Sequence, residues 1–188
     1  MRRQRPSIDL TAQLEGILRD LCARMPEFAH VNPDRVLICL SRTRSRSGGV
    51  FAKIAPMRFR DGTPFKTMGG RRYALPQIPT PNGDVLYLIY VYVPRFFEQP
   101  FERRLLTLVH ELFHIAPAFD GTIRQVGNGA HGASRNRFND SLQPLLQSYL
   151  AADPPEEALH ILRADFTALA KDHTLTGRAL PLPKAIQL

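Results

Sequence analysis

The chain has 188 residues, 44% of them hydrophobic, and 25 lysines and arginines against 17 acids give it a formal charge of +8. That length and apolar content suffice for one sizeable core, and nothing marks a second domain, so residues 1–172 are expected to form a single unit. No internal repeat is visible, no run approaches the roughly 18 apolar residues of a membrane span, and the two cysteines make no disulfide framework. The basic start Met-Arg-Arg-Gln-Arg-Pro-Ser has no apolar segment behind it, which predicts a soluble, cytoplasmic protein without membrane contact, with Cys22 and Cys39 as small buried hydrophobes.

Residues 8–24 carry Leu10, Leu14, Ile17, Leu18 and Leu21 at helical spacing, with Ser7 as the cap, and predict a helix packed across a sheet. Residues 36–40 and 50–54 are short apolar runs suited to strands; the turn with Gly48 and Gly49 between them predicts that they pair as neighbours. Residues 57–73 mix basic, aromatic and glycine residues around an Asp61-Gly62 turn signal, which suits a hairpin or an extended excursion. Residues 85–93 are mostly β-branched or aromatic, the strongest strand signal in the chain. At a sheet margin such a strand would bind substrate by edge pairing.

Residues 98–115 read as a helix, with Pro100 in its first turn and Pro117 ending it. Phe101, Leu105, Leu108, Leu112 and Ile115 form one apolar stripe, and Leu106, Val109 and Phe113 add a second apolar side. The helix is therefore expected to be buried except for the strip carrying Thr107, His110 and His114. His110-Glu111-Leu112-Phe113-His114 is where the chemistry lies. Side chains four apart stack on one helical face, so both imidazoles can aim at one point. Neutral imidazole binds Zn²⁺ at about 2.0–2.1 Å, and a catalytic site takes three protein ligands and leaves one position open. Glu111 can reach a metal-activated water without ligating, the place of a general base. The plainer alternative is a pair of hydrogen-bonded core histidines with Glu111 orienting one of them.

A third ligand must come from elsewhere. His131 lies in Gly127-Asn128-Gly129-Ala130-His131-Gly132, whose glycines let the backbone turn sharply and approach a metal. Asp120 is the alternative, six residues after His114, the offset of the extended zincin motif. That motif needs a glycine three after the second histidine, where this chain has Pro117, and proline cannot adopt positive φ. His131 is therefore ranked first, and Asp120 is read as an acceptor for a liganding imidazole or as the start of an Asp120-Gly121 turn.

His110-Glu111-x-x-His114, followed by His131-Gly132 and then Phe138, resembles the SprT-like zinc metallopeptidases and the related phage metallopeptidases of the zincin group. The similarity covers residues 105–138, about a fifth of the chain. It implies a zincin-like peptidase with His110, His114 and His131 on Zn²⁺ and Glu111 as base. The separate four-cysteine zinc ribbon that SprT-like proteins often carry has no counterpart here, since Cys22 and Cys39 are the only cysteines.

Residues 138–151 and 155–171 read as two later helices, the second with Leu159, Leu162, Phe166 and Leu169 on one face. His30, His160 and His173 are read as ordinary surface or core histidines, and residues 173–188 as a loosely ordered tail. The expected fold class is α+β and zincin-like: a small mixed sheet, an N-terminal helix, a buried His-Glu-x-x-His helix and two C-terminal helices.

The excess charge is concentrated in residues 35–72. Arg35, Arg42, Arg44, Arg46, Lys53, Arg58, Arg60, Lys66, Arg71 and Arg72 meet Asp61 as the one acid. In an extended chain Arg42, Arg44 and Arg46 would project to one side and could track phosphates, joined by Arg58, Arg60, Arg71 and Arg72, with Phe51, Phe59, Phe65 and Tyr73 as stacking surfaces. The alternative is an arginine-rich solvated face. The expected function is zinc-dependent hydrolysis of a protein or peptide substrate, with DNA-associated proteins suggested by the resemblance. Two other readings stand beside it: a nucleic-acid-binding module with a structural metal, and a zinc hydrolase of a non-peptide bond. Arg124, Arg135 and Tyr149 are candidates for a second oxyanion donor, none of them assigned. Oligomeric state is not legible.

Overall fold

The computed structural model describes residues 5–42, 49–125 and 135–188. Among these, the elements run β1 (Ser7–Asp9), α1 (Leu10–Arg24), β2 (Val36–Arg42), β3 (Ala52–Pro56), β4 (Phe65–Met68), β5 (Arg71–Ala74), β6 (Tyr87–Val93), α2 (Phe101–Phe113), α3 (Arg135–Ala151), α4 (Glu156–Arg163), α5 (Phe166–Asp172), β7 (Thr174–Thr176) and β8 (Ile186–Gln187). The class is mixed α+β, with five helices and small sheets among the described residues. No helix there is long and apolar enough to cross a membrane.

Asp9, not Ser7, opens α1. Its Oδ1 accepts from the N–H groups of Thr11 and Ala12 at 2.9 and 3.1 Å and from Thr11 Oγ1 at 2.6 Å. One carboxylate thus satisfies two of the helix's orphan donors, and the Thr11 hydroxyl holds the Asp9 carboxyl below its ordinary range. Ser7 lies in β1 instead, two residues too early to cap.

The central sheet has the order β2-β6-β3. β6 runs parallel to β2 and antiparallel to β3, so the two strands expected to be neighbours flank a third. β6 takes the centre because both its faces are apolar, the mark of a strand covered on two sides. Tyr87, Ile89 and Val91 join the main core with α1 and α2, while Leu88 and Tyr90 pack on the other face with Cys39, Met57 and Val85. Both cysteines are buried, and burial pushes the Cys22 thiol up to about 12.

The outer edge of β2 is covered. Ile38 N–H donates to Glu15 Oε1 at 2.9 Å, Leu40 N–H to the Arg178 carbonyl at 2.7 Å, and Arg178 Nη1 to the Ile38 carbonyl at 2.9 Å. Arg178 also pairs with Glu15. Residues 173–188 are therefore not a loose tail: β7 pairs with β1, Tyr90 Oη donates to the Pro181 carbonyl at 2.8 Å, and β8 pairs with β5. The reason is that unpaired strand edges need backbone partners, and this segment supplies them.

The hairpin expected around residues 57–73 is present with its turn placed later, and one further expectation is corrected. The hairpin of β4 and β5 turns at Gly69-Gly70, both at positive φ as a two-residue hairpin turn requires, while Asp61-Gly62 closes a separate smaller turn. The single helix expected over 155–171 splits into α4 and α5, because Ala164 is extended and Asp165 Oδ1 starts a new helix by accepting from Ala168 N–H at 2.9 Å.

The start of α2 is locked to α4 and to the chain after β6 by Arg104, 8% exposed. Its guanidinium donates to the carbonyls of Gln99, Leu162 and Ala164 at 2.6, 2.8 and 2.9 Å, and to that of Phe97. A planar cation with several fixed donors suits this convergence as no other side chain does. Arg104→Leu leaves those carbonyls without their donor and is expected to cost about 3 kcal/mol, read as a lower urea midpoint at unchanged slope.

Candidate metal centre

His110 lies in the last turn of α2 and His114 caps it, both at most 8% exposed. Their four-residue spacing brings Nε2 of one ring to 3.0 Å from Nε2 of the other. α3 supplies what orients them. Asn139 Oδ1 lies 2.7 Å from His110 Nδ1. An amide oxygen only accepts, so Nδ1 carries the proton and the Nε2 lone pair is turned to the partner ring. The Phe138 ring stacks on His114 at 5.3 Å and 8° between planes, and meets His110 edge-on at 5.0 Å.

Two nitrogen lone pairs at this distance repel unless a shared proton or a cation lies between them. Two ligands of a tetrahedral Zn²⁺ stand about 3.3 Å apart, within a few tenths of the 3.0 Å found. The donor set also fits, since a liganding imidazole characteristically donates its other N–H to a fixed oxygen, as His110 does to Asn139.

Glu111 is 5% exposed, and its Oε2 accepts from the N–H of Ile54 on β3 at 2.9 Å. The ladder explains why that N–H is available. Tyr92 N–H donates to the Phe51 carbonyl and Met57 N–H to that of Leu86, so odd-numbered β3 residues face β6 and even-numbered ones face away. Ala52 and Ile54 therefore turn their backbone groups outward, toward α2. Residues 85–93 are not the marginal strand; β3 is. A cleft of about 530 Å³ opens between α2 and β3 above the histidine pair.

The chain reverses directly after His114. Arg124 N–H donates to the His114 carbonyl at 2.8 Å, and Ile115 bridges Ile123. Positive φ falls at Phe119 and Gly121 in place of the missing glycine at 117. Gly121 is also required sterically, because a Cβ there would lie 2.5 Å from Arg58 Cγ. Tyr87 Oη ties the turn to the sheet, accepting from Gly121 N–H at 3.0 Å and donating to the Thr122 carbonyl at 2.9 Å. Asp120 is engaged in this turn: its Oδ1 accepts from Thr122 N–H and Oγ1 at 3.0 and 2.7 Å. Among the described residues no set of three histidine, cysteine, aspartate or glutamate side chains converges, so Asp120 does not join His110 and His114. His131 lies outside the described residues.

The oxyanion candidates have other employment. Arg124 stacks over Phe113 at 4.3 Å, and Tyr149 Oη donates to Asp20 Oδ2 at 2.7 Å on α1; the Arg135 side chain falls outside the description. Of the basic set, Arg58 is held by Asp84 at 3.3 Å and by the Met57 carbonyl, which removes it from the surface. Arg60, Arg71 and Arg72 are exposed, Arg42 ends β2, and Arg44 and Arg46 lie outside the described residues.

Sequence reading missed Asn139, Ile54 and the cleft face of β3. Only Asn139 had a usable signal, an amide one residue after Phe138 on the helix that follows the motif.

Comparison with known proteins finds no matching family model, no matching curated protein and no matching solved structure.

Asn139→Ala removes the acceptor that fixes His110. The ring is expected to populate both tautomers by ¹⁵N NMR, and zinc affinity in chelator competition to fall about 10–100-fold, with Asn139→Asp restoring it.

Proposed function

We propose that this chain is a zinc-dependent, zincin-like metallopeptidase. The observation that carries the reading is the convergence of two Nε2 atoms beside an ionisable carboxylate, at the floor of a cleft walled by an outward-facing strand edge. His110 and His114 would hold the metal through Nε2, with His131 as third ligand. Zn²⁺ bound there would supply a Lewis acid that makes water nucleophilic near neutral pH and polarises a carbonyl.

The rest falls to the protein. An extended peptide beside β3 gains backbone hydrogen bonds from Ala52, which turns its N–H and C=O to that side. The Ile54 N–H fixes the plane of the Glu111 carboxylate. Glu111 takes a proton from the attacking water as the new C–O bond forms and the carbonyl π bond opens, and the same carboxylate returns the proton to the nitrogen as the carbonyl re-forms and the C–N bond breaks. Burial of the cleft floor strengthens each of these contacts.

Glu111→Gln is expected to keep the fold and bound zinc while peptide hydrolysis falls about 10²–10⁴-fold; wild-type rates in that variant would remove Glu111 from the mechanism. Elemental analysis should find zinc lost in His131→Ala and retained in Asp120→Ala, and the reverse pattern would exchange the two.

A second role, contact with nucleic acid, is favoured by the β4–β5 hairpin. Lys66, Arg71 and Arg72 are exposed on it, and Arg72 stacks over the exposed Phe65 ring at 4.6 Å. Cations beside an aromatic platform suit single strands. Arg71→Ala with Arg72→Ala should weaken binding to a single-stranded oligonucleotide and flatten its salt dependence by about two contacts; unchanged affinity would discard this role.

A further inference from the structure

Arg103 stands one turn from Thr107 and two turns from His110 on α2, and lines the cleft with them. Its guanidinium is exposed, and among the described residues no carboxylate or carbonyl accepts from it. The positions one turn away along the helix are Gln99, Pro100, Leu106 and Thr107, none of which is an acid. Other arginines of the fold are engaged: Arg19 with Asp34, Arg24 with Asp20, Arg163 with Glu156, and Arg104 with four carbonyls. Lys53 adds a second cation on the strand wall, and Glu111 is the one acid of the lining. Phe51, Leu106 and Ile123 make the remainder apolar.

A charged, unengaged donor at the end of an apolar trough is a recognition element. Seven residues of helix separate Arg103 from His110, about 10 Å at 1.5 Å per residue, which is about three residues of extended peptide at 3.3 Å each. We infer that the cleft selects peptides carrying a carboxylate about three residues from the bond that is cut, with Arg103 as the residue that reads it. The inference rests on the peptidase reading above and adds the substrate class. The carboxylate has two sources, an aspartate or glutamate side chain or the free end of a peptide, and guanidinium binds either through the same pair of N–H groups.

The test is cleavage of a fluorogenic peptide set by the zinc-loaded full chain. Asp, Glu, Asn, Gln or Lys is placed in turn at each position up to four residues on either side of the scissile bond, with amidated and free termini in parallel. The expected result is a preference for Asp or Glu over Asn or Gln of about fivefold, carried in KM and reduced by added salt. It should centre on the third position, collapse toward unity in Arg103→Gln, and invert toward Lys in Arg103→Glu. A preference kept with amidated ends assigns the side chain; one that needs a free end assigns the terminus.

Fluorescence anisotropy of the same peptides on Glu111→Gln reads the preference without turnover. Cleavage and binding without any charge preference, or a preference unchanged in Arg103→Gln, would overturn this inference while leaving the peptidase reading intact. Failure to cut or bind any peptide would overturn both.

Discussion

Two imidazole nitrogens 3.0 Å apart in a buried site repel unless a proton or a cation lies between them, and the surrounding structure is arranged to keep them there. α2 supplies the spacing, but a helix alone leaves both rings free to turn about χ1 and χ2. α3 removes that freedom, with Phe138 stacked on one ring and edge-on to the other, and Asn139 holding the far nitrogen of His110. Docking energy between the two helices is thereby converted into imidazole orientation, as a preorganised site requires.

The same economy governs the sheet. β6 must be central because neither of its faces tolerates water, and its two neighbours are consequently both marginal. One margin is closed by Glu15, Arg178 and the chain that follows β7. The other, β3, faces α2, where the Ile54 N–H serves the Glu111 carboxylate. An edge that would otherwise invite aggregation becomes one wall of a cleft, and the carboxylate it anchors is the one acidic side chain of the described cleft lining.

The basic character of the chain divides along the same lines. Arg35 donates to the Asp84 carbonyl and Arg58 pairs with the Asp84 carboxylate, so part of the charge in the basic segment is structural, a means of fastening loops. Arg104 does this in the interior, where its cost is met by carbonyl acceptors. Arg71, Arg72 and Arg103 remain at the surface, where an arginine is worth little to stability and much to recognition.

The sequence by itself determined the elements whose signal is local. The leucine spacing of α1, the β-branched and aromatic run of β6 and the stripe of α2 each require one secondary structure, and only a helix brings His110 and His114 together on one face, since a strand would set them about 13 Å apart. Tertiary structure decided what depends on partners distant in the chain. β2 and β3 were separated because β6 buries two faces; residues 173–188 gained order from strand edges that no local pattern reveals; and Asp9 displaced Ser7 because cap geometry is set to within one residue. The helix expected over 155–171 broke where Asp165 could cap. Asn139 and Ile54 became neighbours of the motif only through the packing of α3 and the register of β3, a through-space relation that periodicity along the chain does not encode.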